Sequence, residues 1–359
     1  MRSTCTSPER AYSIEVARSL PLSNPTNPFA ATEIVYVDEE SPPVHLEIHF
    51  DSSKSILSTN DSPDLDFTYS VNPYRGCAHA CSYCYARPTH EYLSFGAGTD
   101  FDRKIVVKRD APDLLRAALR SPKWDPSEVL VFSGVTDPYQ PLERTYGLTR
   151  ACLEVCADFA QPTSIITKGV TIERDLDVLA DLVRRAAVAV TISIPFADEE
   201  HARALEPFVT TPTRRFRTIE TLAKAGIPVG VNVAPIIPGL SDQQMVTILE
   251  RAKDAGAKWA GCTLLRLPGS TKAVFESRLR EALPLRAEKV IARLREAHGG
   301  KMYDSTFGRR GRGDGPYADM IGALFSAAAE RLGLSGGQPS LRAPAGARPR
   351  GKKAQLSLF

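Results

Sequence analysis

Three cysteines, Cys77, Cys81 and Cys84, stand in the run Asn72-Pro73-Tyr74-Arg75-Gly76-Cys77-Ala78-His79-Ala80-Cys81-Ser82-Tyr83-Cys84-Tyr85, with no fourth cysteine nearby. Cys thiolates ordinarily hold every iron of an iron-sulfur cubane, so a loop that offers three leaves one iron open to bind another molecule. The spacing therefore predicts a 4Fe-4S cluster that is a reaction centre. Zinc is the alternative, with His79 or His90 completing a Cys3His set. A disulfide would leave one thiol over, and nothing in the chain calls for an oxidising compartment.

These ligands need a core to hold them. With 359 residues, 43% of them hydrophobic and 24% charged, the chain has the composition of a soluble globular protein and the length of one barrel-sized domain with extensions or of two ordinary domains. No apolar run approaches the ~18 residues of a membrane span. The start, Met1-Arg2-Ser3-Thr4-Cys5, lacks a secretory signal's apolar stretch. Seven cysteines, an odd number that includes a loop needing free thiolates, point to a reducing cytoplasm. The net charge of +3 is uneven: residues 335–359 carry five basic side chains and no acid, which leaves the rest at −2.

Residues 1–60 are rich in Pro, Ser and Asn and read as an irregular arm with one short strand over 44–50. Beyond Asp66, apolar β-branched runs alternate with helical patterns. Strands are expected at 68–71, 129–133, 163–167, 188–194, 228–234 and 259–265, and helices at 112–119, 148–159, 173–184, 213–225, 242–255 and 286–297. Strand followed by helix, repeated six times, argues for parallel βαβ units, closed as an open doubly wound sheet or as a barrel. The expected organisation is an α/β core over 61–305, a helical extension over 306–334 and a flexible basic tail over 335–359.

The C-x3-C-x2-C spacing with Tyr83 before the last cysteine resembles the cluster loop of the radical S-adenosylmethionine (SAM) superfamily. The stretches Asn72-Pro73-Tyr74-Arg75-Gly76, Tyr85-Ala86-Arg87-Pro88-Thr89-His90-Glu91-Tyr92, Thr136-Asp137-Pro138-Tyr139-Gln140-Pro141 and Leu264-Leu265-Arg266-Leu267-Pro268 are similar to a bacterial branch related to spore photoproduct lyase, often labelled DNA repair photolyases. The resemblance spans roughly residues 60–333. It implies a partial (β/α)6 TIM-type barrel and SAM chelated to the open iron. It also implies a flavodoxin- or ferredoxin-type electron donor and a 5'-deoxyadenosyl radical that takes a hydrogen atom from the substrate. It does not carry the lyase reaction itself. Spore photoproduct lyase has a hydrogen-donating cysteine just before the Ser-Asp of its second strand's loop, and Gly134 stands in that place here.

The segment 132–141 turns polar after four apolar residues, as a βα active-site loop does; the resemblance sets Thr136 and Asp137 against the SAM ammonium, with Ser133 as a further cofactor-binding residue, and a helix cap or an Asx turn before Pro138 is the structural alternative. By the same resemblance Tyr83 flanks the adenine, while Asn232 and Ile237 belong to an apolar ledge that supports it. Thr191 and Ser193 share a pleat face within reach of the ribose. Lys168, Cys262 and Arg266 end strands and are the candidates for substrate or carboxylate contact. Cys152 and Cys156, four apart on a helix, are expected to pack in the core, and the run 309–315 is either a phosphate grip or a loop.

The terminus Gln355-Leu356-Ser357-Leu358-Phe359 resembles the peptide by which bacterial polymerases and repair proteins dock on the DNA sliding clamp, with Gln355, Leu356, Leu358 and Phe359 as contacts. The expectation is a radical SAM enzyme acting on a nucleic-acid lesion. The alternatives are radical modification of RNA, protein or a small molecule, or a zinc-bound, non-catalytic nucleic-acid-binding protein.

Overall fold

Apolar β-branched runs become strands where the sequence predicts them. The computed structural model describes residues 23–29, 45–338 and 341; the clamp-like peptide and most of the N-terminal arm lie outside them. The strands are β1 (Glu47–Phe50), β2 (Leu57–Thr59), β3 (Tyr69–Val71), β4 (Tyr74–Arg75), β5 (Lys104–Val107), β6 (Leu130–Phe132), β7 (Thr163–Thr167), β8 (Val188–Ser193), β9 (Val229–Ile236) and β10 (Ala260–Leu264). The helices are α1 (Thr99–Arg103), α2 (Ala111–Arg120), α3 (Glu143–Tyr146), α4 (Leu148–Asp158), α5 (Leu176–Arg185), α6 (Glu199–Leu205), α7 (Pro212–Lys224), α8 (Met245–Asp254), α9 (Thr271–Ala282), α10 (Pro284–Glu296) and α11 (Pro316–Arg331).

The seven-stranded sheet runs β10-β9-β8-β7-β6-β3-β2, with β3 and β6 to β10 all parallel and β2 antiparallel at the edge. Six parallel strands thus lie side by side in chain order. A doubly wound sheet reverses its order at a switch point, and this one never does. That order makes the closure a partial (β/α)6 barrel, open between β10 and β2. β2 joins this sheet from before residue 61, the start expected for the core.

Alternate strand residues divide the two faces. Val188, Val190, Ile192, Val229, Val231 and Val233 pack outward with Phe216, Ile219, Ile248 and Leu249 of α7 and α8 in the main core. Their neighbours Thr191, Ser193 and Asn232 face inward. Trp259 plugs the start of this interior beside Ala189 and Leu341, its indole reaching Thr191 at 3.3 Å. Gly230 makes room for it, because a Cβ there would stand 2.2 Å from Trp259 Nε1.

The helices are punctuated locally. α7 begins with Thr211, whose hydroxyl accepts from Arg214 N, and Pro212 follows it. α5 carries Asp177 in its first turn and Arg184 and Arg185 in its last, the signs its dipole favours. Cys152 and Cys156 share the buried face of α4 in the main core, as expected of small apolar side chains.

Candidate cofactor site

The cysteine loop does not follow β3 directly. Two residues later β4 pairs antiparallel with β5, in a second small sheet completed by β1, and this pairing aims the chain into the loop. Gly76 makes the turn with φ +75°, where a Cβ would meet His90 Cε1 at 2.8 Å and the Phe101 carbonyl at 2.9 Å. From there the backbone is pinned at every step. Cys77 N donates to Phe101 O (2.9 Å), Ala80 N to Cys77 O (3.1 Å), Ser82 N to Leu205 O (2.9 Å) and Cys84 N to Cys81 O (3.2 Å).

Behind the loop lies a buried ionic group. Arg87, fully buried, donates through Nε (3.1 Å) and Nη2 (2.7 Å) to the Cys81 carbonyl and through Nη1 to the carbonyls of Ala97 and Gly98. Its Nη2 also reaches Asp102 at 2.8 Å. Arg278 on α9 binds the other Asp102 oxygen at 2.5 Å and the Ala80 carbonyl at 3.0 Å.

The three thiols form a donor set that asks for a cation. Burial pushes all three up, and Cys77 is raised further by Asp137 and by the other two sulfurs. Thiolates crowded in a dry site are stable only when a metal's positive charge compensates them. Among the described residues, no three His, Cys, Asp or Glu side chains converge as the ligand set of a single ion. The two histidines offered as a fourth zinc ligand have other partners. His90 Nε2 is 2.8 Å from the Lys104 carbonyl, and burial holds its pKa at about 4; His79 Nδ1 lies 3.5 Å from Asp137.

The loop after β6 locks onto this one. Thr136 Oγ1 donates to the Gly76 carbonyl at 2.6 Å, and Gln140 spans Gly76 O (3.2 Å) and Ala78 N (3.0 Å). Asp137 accepts from Thr167 Oγ1 (2.5 Å), Lys168 N (2.7 Å) and Tyr139 N (2.9 Å), the last being an Asx turn. Burial would raise its carboxyl, but His79 and these donors outweigh it and hold the pKa at about 2. Thr136 and Asp137, expected on the SAM ammonium, are therefore engaged within the protein. Their hydrogen-bonding capacity goes to joining three loops.

Other expected site residues do converge. Tyr83 is buried with Ile237, Phe196 and Leu265 in one apolar cluster. Its hydroxyl donates to Glu206, which pairs with the equally buried Arg215 at 2.5 Å; Arg215 also donates to the Ser193 carbonyl at 2.9 Å. Lys168 Nζ stands 5.6 Å from the centre of the Tyr83 ring. Arg266 lies 5.3 Å from the ring of Tyr85 on the other side of Cys84. Ser193 and Asn232 are register partners, followed by Gly261. Ser133 follows β6, half-buried beside Gly134, whose φ of +122° favours glycine although a Cβ there would only touch Ser70 and Asn72 at 3.8 Å.

Cys262 is the exception. It pairs in register with Val233, whose side chain is in the outer core, so it points away from the barrel interior, exposed, near Arg312. The residues that sequence reasoning missed are charged: Arg87, Asp102, Glu206, Arg215 and Arg278. Arg87 sits in a quoted motif and Tyr83 has a polar tip that needs a partner when buried, and those were the available signals.

Comparison with known proteins agrees with this geometry. The family model described as the radical SAM superfamily matches residues 71–252. An uncharacterized protein of Mycobacterium tuberculosis is 39% identical over 236 residues, covering 65% of this chain and 68% of its own. Another, of Methanocaldococcus jannaschii, is 30% identical over 178 residues, covering 50% of this chain and 64% of its own. Among solved structures, spore photoproduct lyase complexed with dinucleoside spore photoproduct superposes with a TM-score of 0.58 at 15% identity over 79% of each chain. At that identity the likeness is one of fold.

Proposed function

The chain belongs to the radical SAM superfamily, and we propose that it holds a 4Fe-4S cluster on Cys77, Cys81 and Cys84 and acts on a nucleic-acid lesion. The observation that carries this reading is the placement of three thiols, those of Cys77 and Cys81 buried and that of Cys84 half-buried, on a pinned loop of a parallel partial barrel. When bound, the cluster and SAM supply a 5'-deoxyadenosyl radical, the species that abstracts hydrogen.

The chain's own residues bind and shield. Ser133, Ser193 and Asn232 face the interior, and no hydrogen bond to another described residue occupies their side chains, so they are free to meet SAM. Tyr83 and Ile237 offer an apolar wall for the adenine, and the Glu206–Arg215 pair fixes the Tyr83 ring by its hydroxyl. Lys168 faces that ring and suits the methionine carboxylate. Arg266 suits a substrate anion.

Support for a nucleic acid comes from the surface next to the loop. Tyr85 is 47% exposed with Arg266 beside it; farther along the chain Phe307 is 56% exposed over Arg310, whose guanidinium is itself held by Asp64 and Ser62. Exposed aromatics paired with arginines are what base stacking and phosphate contact require. The structurally similar lyase was solved with a dinucleoside photoproduct. The six described cysteines are all free, which suits the cytoplasm and a flavodoxin- or ferredoxin-type donor. No helix among the described residues is long and apolar enough to cross a membrane.

Deuterium tracing tests the substrate. SAM labelled at C5' is incubated with the reduced enzyme and lesion-bearing oligonucleotides, RNA, peptides or metabolite extracts. Exchange of deuterium with a damaged base supports the reading; exchange with RNA, protein or a small molecule instead overturns the lesion assignment.

A further inference from the structure

Arg278 has no place in the site as the sequence predicts it, and it lies beyond the region matched by the family model. Yet it reaches across 198 positions to donate to the Ala80 carbonyl, between the first two cysteines. Its partner Arg87 holds the carbonyl of Cys81 itself. Asp102, only 1% exposed, accepts from both guanidinium groups. Arg103 adds a third cation at this point, 4% exposed, with Nη2 unpartnered among the described residues. Arg87, Arg103 and Arg278 thus outnumber Asp102 here, while of the nearby buried carboxylates Asp100 is paired with Lys104 and Glu91 accepts from Ser270.

Such an excess is expensive to bury unless a negative charge faces it. Glu206 does not supply one, since it is paired with Arg215. What faces these arginines is the loop whose three thiolates would carry an anionic cluster.

We propose that Arg278, with Arg87, is a positioning residue that fixes the loop between Cys77 and Cys81 and whose charge raises the reduction potential of the cluster held there. This rests on the cluster reading above. Reduction adds one electron from a low-potential one-electron donor and no bond changes, so the anion gains one unit of negative charge. Two guanidinium groups hydrogen-bonded to the loop's carbonyls stabilise the reduced form more than the oxidised one. A cleft of about 510 Å³, walled by α6, residues 206–212 and α9, reaches Arg278 from outside the sheet, so solvent screens it in part. The effect of Arg278 is accordingly smaller than that of a fully dry charge.

The test uses full-length protein reconstituted anaerobically, with dithionite as reductant and the midpoint potential followed by electron paramagnetic resonance. Arg278→Gln should keep iron and sulfide content near that of the parent while its midpoint moves to a lower potential; Arg278→Lys, which retains the charge but loses the fork, should stay close to the parent. An unchanged midpoint in Arg278→Gln would overturn the proposal. So would loss of the cluster in both variants, which would assign Arg278 to loop folding alone. A parent protein that takes up no iron would instead refute the cluster reading on which the proposal rests.

Discussion

Asp137 offers the sharpest quantitative test of how the site is built. Its carboxylate accepts from Thr167 Oγ1, Lys168 N and Tyr139 N, and it lies 3.5 Å from His79 in the cysteine loop. Asp137→Asn keeps one oxygen for the Asx turn and removes the charge. The pKa falls from the ordinary 3.8 to about 2 in the folded protein, and such a depression corresponds to about 2 kcal/mol of stability. Because the folded value is the lower one, that stability is complete above pH about 4 and is lost as the pH falls towards 2. Urea unfolding of the metal-free protein should show Asp137→Asn to be about 2 kcal/mol weaker at pH 7, with the gap closing as both proteins are taken below pH about 4. A gap that is absent at pH 7, or that stays constant down to low pH, would refute the reasoning. SAM affinity is a separate readout: if Asp137 acts through the loops, Asp137→Asn weakens cluster retention, and SAM binding falls only in proportion to the cluster lost.

Arg215→Met leaves the buried Glu206 carboxylate without its cation, so it should cost about 3 to 5 kcal/mol in thermal or urea unfolding. Replacing Arg215 and Glu206 together by Met and Gln should recover much of that loss, and failure to recover any would disprove the pairing argument. At the other end of the chain, deleting residues 355–359 should abolish capture of purified bacterial sliding clamp while SAM cleavage is unaffected. Equal capture by the full chain and the truncation, or none by either, removes the replication-linked reading.

Seven strands, the short one over 44–50 included, and six core helices were legible because β-branched runs and amphipathic periods are local signals. The partial barrel was legible through the family resemblance and not through periodicity, since closure depends on strand order, which no window of residues contains; the uninterrupted order from β3 to β10 agrees with it. β4 is two residues long and exists only because β5 is there to pair with it. α9 carries Val274, Phe275 and Leu279 at helical spacing after Pro268-Gly269, a readable pattern that the sequence analysis passed over. With it went Arg278. Charged residues such as Asp102 and Glu206 look like solvated surface in a sequence, and only contacts over more than a hundred positions reveal them as buried. Thr136 and Asp137 have a loop-joining role that their sequence shows only in part: the Asx turn to Tyr139 N is local, whereas the bonds to Gly76 O, Thr167 Oγ1 and Lys168 N span other loops.

The central claim is that Cys77, Cys81 and Cys84 hold an iron-sulfur cluster that activates SAM, and metal analysis coupled to SAM cleavage tests it most directly. After anaerobic reconstitution the protein should contain about four irons and four sulfides per chain, and with dithionite it should convert SAM to methionine and 5'-deoxyadenosine. Each of Cys77→Ala, Cys81→Ala and Cys84→Ala should abolish that conversion, while Cys262→Ala, on the outer face of β10, should not. Stoichiometric zinc with no iron uptake, or undiminished cleavage in any of the three cluster variants, would contradict it.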